Sequence, residues 1–262
     1  MDQDTKRHRP HSSSTAEQGT ASSQTDTPLA DVLSSSPEVL ISAATNRGLS
    51  EDLALALLKR TDLLPEALEA LSKNPGTLKS RKVRLRLVAH PKTPRHVSLP
   101  LLRPLFTFEL MNLAVVPSVP ADVKKAAEDG IILRLESISL GEKLSLARRA
   151  SGAVAGALLA EKESRVIAAS LNNSRLTEAH VIHALVRTES LPALVDAVCH
   201  HEKWALRREV QLALLRNQHT PLAKALAFAQ ALPPEIVREV LHASRLPENV
   251  KKYLIEDLNR RI

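Results

Sequence analysis

The residues best able to bind a ligand are concentrated in one basic stretch of the chain. Between positions 70 and 108 the sequence carries nine lysines and arginines and no aspartate or glutamate. Clustered cations repel one another, and an anionic partner relieves that repulsion while releasing counterions. We therefore predict a surface that binds an anion or a partner within segment 73–103. Its candidate residues are Lys79, Arg81, Lys82, Arg84, Arg86, Lys92 and Arg95.

Histidine and cysteine side chains could also ligate a metal ion. The chain has ten histidines and one cysteine. His180 and His183 share a helical face and Cys199 precedes two histidines, but a metal site needs three or four converging ligands. We expect ordinary helix residues here, and we predict no metal and no cofactor. One cysteine also excludes an intramolecular disulfide within the chain.

The sequence contains no motif of a known enzyme class. It lacks both the Gly-x-Ser-x-Gly elbow of hydrolases and the His-Glu-x-x-His of zinc proteases. A phosphate-binding loop needs closely spaced glycines followed by a lysine, and Gly152 with Gly156 lacks that lysine. Small residues at this spacing let two helices approach each other. We therefore expect a protein without catalytic activity.

The elements that must position the basic residues are helices. Hydrophobic residues make up 44% of the chain and aromatic residues only 2%, a mixture that favours helices over sandwiches of strands. From Leu29 onward, apolar residues recur at helical spacing, and we predict roughly ten to twelve short helices. Helix-start signals lie at Ser50, Thr93, Thr177 and Thr220, and Ser139 with Glu142 has the spacing of a capping box.

One segment conflicts locally with this all-α prediction. Residues 82–88 alternate between basic and apolar side chains, a pattern that in isolation predicts a strand. The related segment 209–215 is rich in alanine and leucine, which favour helix. We therefore predict a helix for both segments.

The sequence also contains an internal duplication. An ungapped overlay of residues 28–135 on 155–262, an offset of 127 residues, gives 24 identities in 108 positions. Chance would give roughly 8% in a chain of this composition. We predict one unit in two diverged copies, residues 28–154 and 155–262, that continue as one array. The aligned helix-start positions are Glu51 and Glu178, Pro94 and Pro221, and Pro120 and Pro247.

A shorter phrase recurs within each copy. An Asn or His ends an apolar helix, and a Thr or Ser followed by Pro or Glu begins the next, at 46–51, 90–94, 173–178 and 217–221. This phrase, together with the segment 163–173, resembles HEAT-type and leucine-rich-repeat-variant helical repeats over most of residues 30–260. The resemblance implies an α-solenoid, in which stacked units supply the core, and it implies no activity. The cysteine-ligated cluster of the variant family does not carry over to a chain with one cysteine.

The remaining features concern the ends of the chain and its surroundings. Residues 1–27 are polar and without apolar periodicity, so we predict a disordered tail. No run approaches 18 apolar residues, so we expect no membrane span, and the single cysteine suits a cytoplasmic location.

These observations favour a scaffold over an enzyme. We predict a non-enzymatic helical-repeat scaffold that binds a protein partner. The alternative is binding of nucleic acid or another polyanion through segment 73–103. A third interpretation makes the basic stretch a solvated helix face, since the aligned window 197–235 carries five basic and three acidic residues. The sequence leaves the partner and the oligomeric state open.

Overall fold

The computed structural model describes residues 29–187 and 190–260. These residues form helices and turns without a strand, so the predicted all-α fold class is confirmed. The predicted tail at 1–27 lies outside the described residues. None of the described helices combines the length and the apolar run needed to cross a bilayer.

Eighteen helices follow one another along the described part of the chain. They are α1 Leu29–Leu33, α2 Pro37–Thr45, α3 Glu51–Leu57, α4 Pro65–Lys73, α5 Pro75–Lys79, α6 Arg81–Ala89, α7 Arg95–Leu102, α8 Thr107–Val115, α9 Ala121–Ile132, α10 Leu140–Arg149, α11 Gly152–Leu158, α12 Ser164–Leu171, α13 Glu178–Val186, α14 Pro192–Cys199, α15 Arg208–Arg216, α16 Leu222–Ala231, α17 Pro234–His242 and α18 Glu248–Arg260.

The predicted number of helices was too low. Asn74 ends α4 and also caps α5, and Ser80 ends α5 and also caps α6, so single residues separate three helices. A five-residue helix such as α5 is barely more than one turn long and leaves no apolar periodicity to detect. Short helices joined in this way merge into one polar and apolar pattern in the sequence.

The segment with strand-like alternation is helical, as predicted. It lies in α6, and its counterpart lies in α15. The hydroxyl of Ser80 accepts a hydrogen bond from the backbone N–H of Val83, which begins the helix. Val83, Leu87 and Val88 are then fully buried on one face. Burial of a helical face therefore overrides the local alternation.

The helix-start signals are confirmed at three positions and wrong in detail at two. Ser50 and Ser139 cap α3 and α10 through their hydroxyls, and Thr177 contacts His180 at the start of α13. Thr93 and Thr220 instead donate to the carbonyls of Leu87 and Leu214, both at 2.6 Å. The proline after each threonine is itself the N-cap, so the threonine closes the preceding helix.

The order of helices recurs along the chain. Seven helices in the first half begin 127 residues before seven helices in the second half. The pairs are α2 and α12, α3 and α13, α4 and α14, α6 and α15, α7 and α16, α8 and α17, and α9 and α18. The offset found in the sequence is therefore also the offset of the helix starts.

The core is distributed along the chain rather than gathered at one centre. Three clusters of buried side chains follow one another, within residues 32–97, 88–166 and 155–258. The helices with the most extensive contacts are no more than three apart in chain order. Each segment thus packs mainly against the segments just before and after it.

Polar side chains at helix ends join consecutive segments. The side-chain amide of Asn173 donates to the carbonyl of Ala147 (2.8 Å), and that of Asn217 to the carbonyl of Leu185 (2.7 Å). Ser244 donates to the carbonyl of Leu215 at 2.6 Å. The members of each pair lie 26, 32 and 29 residues apart. Each bond satisfies a carbonyl that its helix end leaves unpaired.

Candidate anion-binding and partner-binding surface

The candidate cations lie on α5, on α6 and at the start of α7. Four of them, Arg81, Lys82, Arg84 and Arg86, belong to α6. Because one face of α6 is buried, its cations are distributed over the other faces. They do not form one patch.

Arg81 is held by an acidic residue of α8. Its guanidinium forms two hydrogen bonds to the carboxylate of Glu109, at 2.5 and 2.8 Å, and lies 3.3 Å above the ring of Phe106. The backbone N–H of Phe106 donates to the same carboxylate at 2.9 Å. The hydrogen bonds from Arg81 hold the pKa of Glu109 below its ordinary value. Arg81 is thus a cross-link between helices and offers no unpaired charge.

Two further candidates have carboxylate partners. The ammonium of Lys82 lies 3.4 Å from the carboxylate of Glu51, and the guanidinium of Arg95 lies 2.7 Å from that of Asp122. Exposed pairs of this kind are weak, about 0.2 to 1 kcal/mol, and an incoming anion can displace them. They still lower the positive charge that the surface presents.

The other four candidates have no carboxylate at ion-pair distance within residues 29–187 and 190–260. Arg84 is half-buried, and its Nε is buried without a hydrogen-bond partner among the described residues. Lys79, Arg86 and Lys92 are exposed. Of these four, Arg86 alone lines a cavity.

That cavity is an open groove of about 460 Å³, called here the first groove. Three stretches of chain line it, within 58–61, 85–91 and 112–118, and each lies at or just beyond the end of a helix. The stretches are about one repeat apart, so the groove crosses three consecutive segments. Its apolar lining includes Leu58 and Leu113, which are 6% and 3% exposed.

Two unpaired cations stand at the first groove, Lys59 and Arg86, and both are exposed. Arg60 also lines it but is occupied, because it donates to Asp62 at 2.6 and 3.0 Å and to the carbonyl of Val32 at 3.0 Å. The hydrogen bonds from Arg60 lower the pKa of Asp62 to about 2. The described residues that line the groove include no acid. The groove therefore carries net positive charge.

His90 forms part of the wall and has a structural role. Its Nδ1 accepts the backbone N–H of Lys92 at 3.2 Å, and its Nε2 lies 2.8 Å from the carbonyl of Arg60. A neutral ring with its hydrogen on Nε2 satisfies both contacts. Asn217, at the aligned position, makes the same two kinds of bond with its amide. Both nitrogens of His90 are thus committed to the backbone.

A smaller groove of about 130 Å³ recurs in the second half and is called here the second groove. Each of its eight lining residues lies 127 positions after a residue of the first groove. The cations are exchanged between the two. Val186 and Ala213 replace Lys59 and Arg86, whereas Arg216 and Arg245 replace Ala89 and Ser118.

The sequence prediction included Arg86 but missed Lys59 and the apolar lining. Lys59 lies outside the basic window, because the chain reaches the groove again only one segment later. A signal was nevertheless present in the aligned copies. Charge changes between the copies at positions 59, 86, 89 and 118, and all four positions line the groove.

The other candidate residues serve packing. A side chain on Gly152 would clash with the carbonyl of Arg175, and one on Gly156 would crowd His180, so the glycines let α13 approach α11. Within the described ranges, no group of three or more His, Cys, Asp or Glu could hold a metal ion. Cys199 is buried, and burial raises the pKa of its thiol to about 11.

Comparison with known proteins returned no match. No family model, no curated protein and no solved structure matches the chain.

Proposed function

We propose that this chain is a non-enzymatic helical-repeat scaffold, a HEAT-like or leucine-rich-repeat-variant-like α-solenoid, that binds a protein partner. The observation that carries the proposal is the first groove, which is open to solvent and combines an apolar lining with two unpaired cations. A reducing compartment such as the cytoplasm suits its one free, buried cysteine.

Four features support an array of two diverged copies. The main contacts join helices close in chain order, and the core runs in three consecutive clusters. Seven pairs of helices share one offset, and polar side chains bond to carbonyls about one unit earlier. In such an array each unit buries its apolar face only against its neighbours.

The chemistry of the groove favours binding over catalysis. A catalytic base or nucleophile needs a free atom within reach of a substrate. His90 is the groove's one titratable side chain with a pKa near neutrality by residue type, and both of its ring nitrogens are committed to backbone groups. The thiol of Cys199 is buried and protonated at neutral pH. The groove thus supplies shape and charge.

Native affinity purification with nuclease treatment tests the proposal. We expect a protein that stays bound at about 0.5 M salt, because an interface with an apolar centre resists ionic screening. That protein, once purified, should form a complex with the chain on size-exclusion chromatography. The denatured chain coupled to the same resin is the control. Retention of nucleic-acid-dependent proteins alone would contradict the proposal.

A second candidate function, polyanion binding through segment 73–103, is favoured by the four cations without carboxylate partners. On a heparin column at about 0.05 M salt, R86Q/K92Q should then reduce retention more than R81Q/K82Q, because only the second pair of cations is already neutralised. If the unmodified protein is not retained at this salt concentration, polyanion binding is excluded.

A further inference from the structure

We infer that the first groove binds an extended acidic segment of a protein partner, about six residues long, with carboxylates placed beside a bulky apolar side chain. This inference rests on the proposed function and names the chemistry of the partner. The second groove does not serve the same segment.

The length of the segment follows from the three stretches that line the first groove. Neighbouring helices pack about 8 to 10 Å apart, so three consecutive segments span roughly 18 Å. An extended chain advances about 3.3 Å per residue, which gives roughly five to six residues. A cavity of about 460 Å³ holds only a few side chains of such a segment.

The chemistry of the segment follows from the lining. Leu58, Leu85 and Leu113 offer apolar contact to a large aliphatic or aromatic side chain. Lys59 and Arg86 stand at the same groove without carboxylate partners in the described structure, and no acid lines it to neutralise them. Complementary charge then selects carboxylates on the partner and speeds its association.

The same lining disfavours a nucleic acid. Single-stranded nucleic acids bind where bases stack on aromatic side chains along a positively charged groove. The described lining contains no Phe, Tyr or Trp, and the ring of His90 is held by two backbone contacts. Two cations also give a weaker polyanion site than a continuous basic track.

The second groove supplies matched variants. A89R/S118R introduces the arginines that stand there at the aligned positions 216 and 245, and K59V/R86A introduces its Val and Ala. Because the related half accommodates all four residues, both variants should keep the helical content of the parent. A89R/S118R fills the groove while adding two positive charges, so it separates shape from charge.

The test is selection of a displayed library of random ten-residue peptides on the full chain. We expect enrichment of peptides that combine Asp or Glu with Leu, Ile or Phe. Measured by fluorescence anisotropy, their affinity should fall about tenfold with K59V/R86A, and about tenfold with A89R/S118R despite the added charge. R216A/R245S, which changes only the second groove, should bind as the parent does.

Heparin retention separates the two explanations of any binding. A89R/S118R should be retained at least as strongly as the parent on heparin, because it is more basic. Selected peptides that are not acidic, or that bind A89R/S118R as tightly as the parent, would overturn the inference, as would a selection that yields no groove-dependent peptide. If a purified protein partner still binds A89R/S118R, the scaffold function stands and the groove assignment is wrong.

Discussion

Replacing Asn173 by aspartate tests whether polar side chains tie consecutive units together. The amide of Asn173 is 2% exposed and donates to the carbonyls of Ala147 (2.8 Å) and Ala150 (3.1 Å), while its Oδ1 accepts the N–H of Arg175. The substitution keeps the shape and the acceptor, but it removes both donors. It connects α12 with the end of α10, on either side of the proposed boundary between copies.

The expected loss follows from the groups left unpaired. Two hydrogen bonds contribute about 1 kcal/mol each, and burying a carboxylate beside two unpaired carbonyls adds at least about 1 kcal/mol. The free energy of unfolding should fall by about 3 kcal/mol, which corresponds to a drop of roughly 6 to 12 °C in the thermal midpoint of a chain this size. Circular dichroism at 222 nm, a wavelength that reports helix, measures this midpoint.

The neighbouring asparagine is a matched control. Asn172 is exposed, and its amide donates only to the carbonyl of Ala168 within its own helix. Asn172→Asp makes the same chemical change one residue away, and we expect a shift below about 2 °C. If the two aspartate variants unfold at the same temperature, the bonds between units do not stabilise the fold and the reasoning is refuted.

Three further outcomes follow from single contacts. Cys199 should not react with a thiol reagent at pH 8 in the folded protein and should react fully after denaturation, because burial raises its pKa to about 11. Trp204→Phe should lower the free energy of unfolding by about 2 kcal/mol in urea titrations, because the indole N–H donates to the buried end of α12 at Leu171 (2.9 Å). Arg81→Gln should lower the thermal midpoint at pH 7 and not at pH 3. The pKa of Glu109 is depressed by Arg81, so the stabilisation is present above the ordinary pKa of 4.5 and is lost as the pH falls through the folded value. An equal loss at both pH values would show that packing on Phe106, and not charge, holds Arg81.

Helices could be predicted from the sequence where caps and apolar periodicity agree. Glu51 and Glu178 each begin a helix after a hydroxyl residue, as expected. The role of Thr93 could not be predicted in the same way, because its hydroxyl can bond forward to an N–H or backward to a carbonyl. Since Pro94 occupies the N-cap, the backward bond to Leu87 forms. Local patterns fix where a helix begins and leave the direction of such bonds to tertiary packing.

One substitution between the copies shows how far equivalence of residues can change while the contact is kept. The carbonyl of Ala44 accepts a bond from the amide of Asn74, whereas the aligned carbonyl of Leu171 accepts one from the indole of Trp204. Trp204 is aligned with Thr77 and not with Asn74. The buried carbonyl must be satisfied in both copies, but the donor can come from either of two positions in the turn. An alignment alone gives neither the donor nor the acceptor.

The candidate site shows why a charge count within a window overstates a basic surface in a repeated array. The carboxylates that pair with Arg81, Lys82 and Arg95 lie 28, 31 and 27 residues away, at Glu109, Glu51 and Asp122. Each distance is close to one unit, so each acid reaches its cation from a neighbouring segment.

The same geometry brings cations together from different windows. Lys59 and Arg86 are 27 residues apart and line one groove, although no local run of charge contains both. In an array of stacked units, the charge that a partner meets is set by residues one unit apart on the same face. A basic window therefore predicts a binding surface only after the acids one unit before and one unit after it have been paired off, and in this chain that operation leaves Arg86 at the groove and removes Arg81.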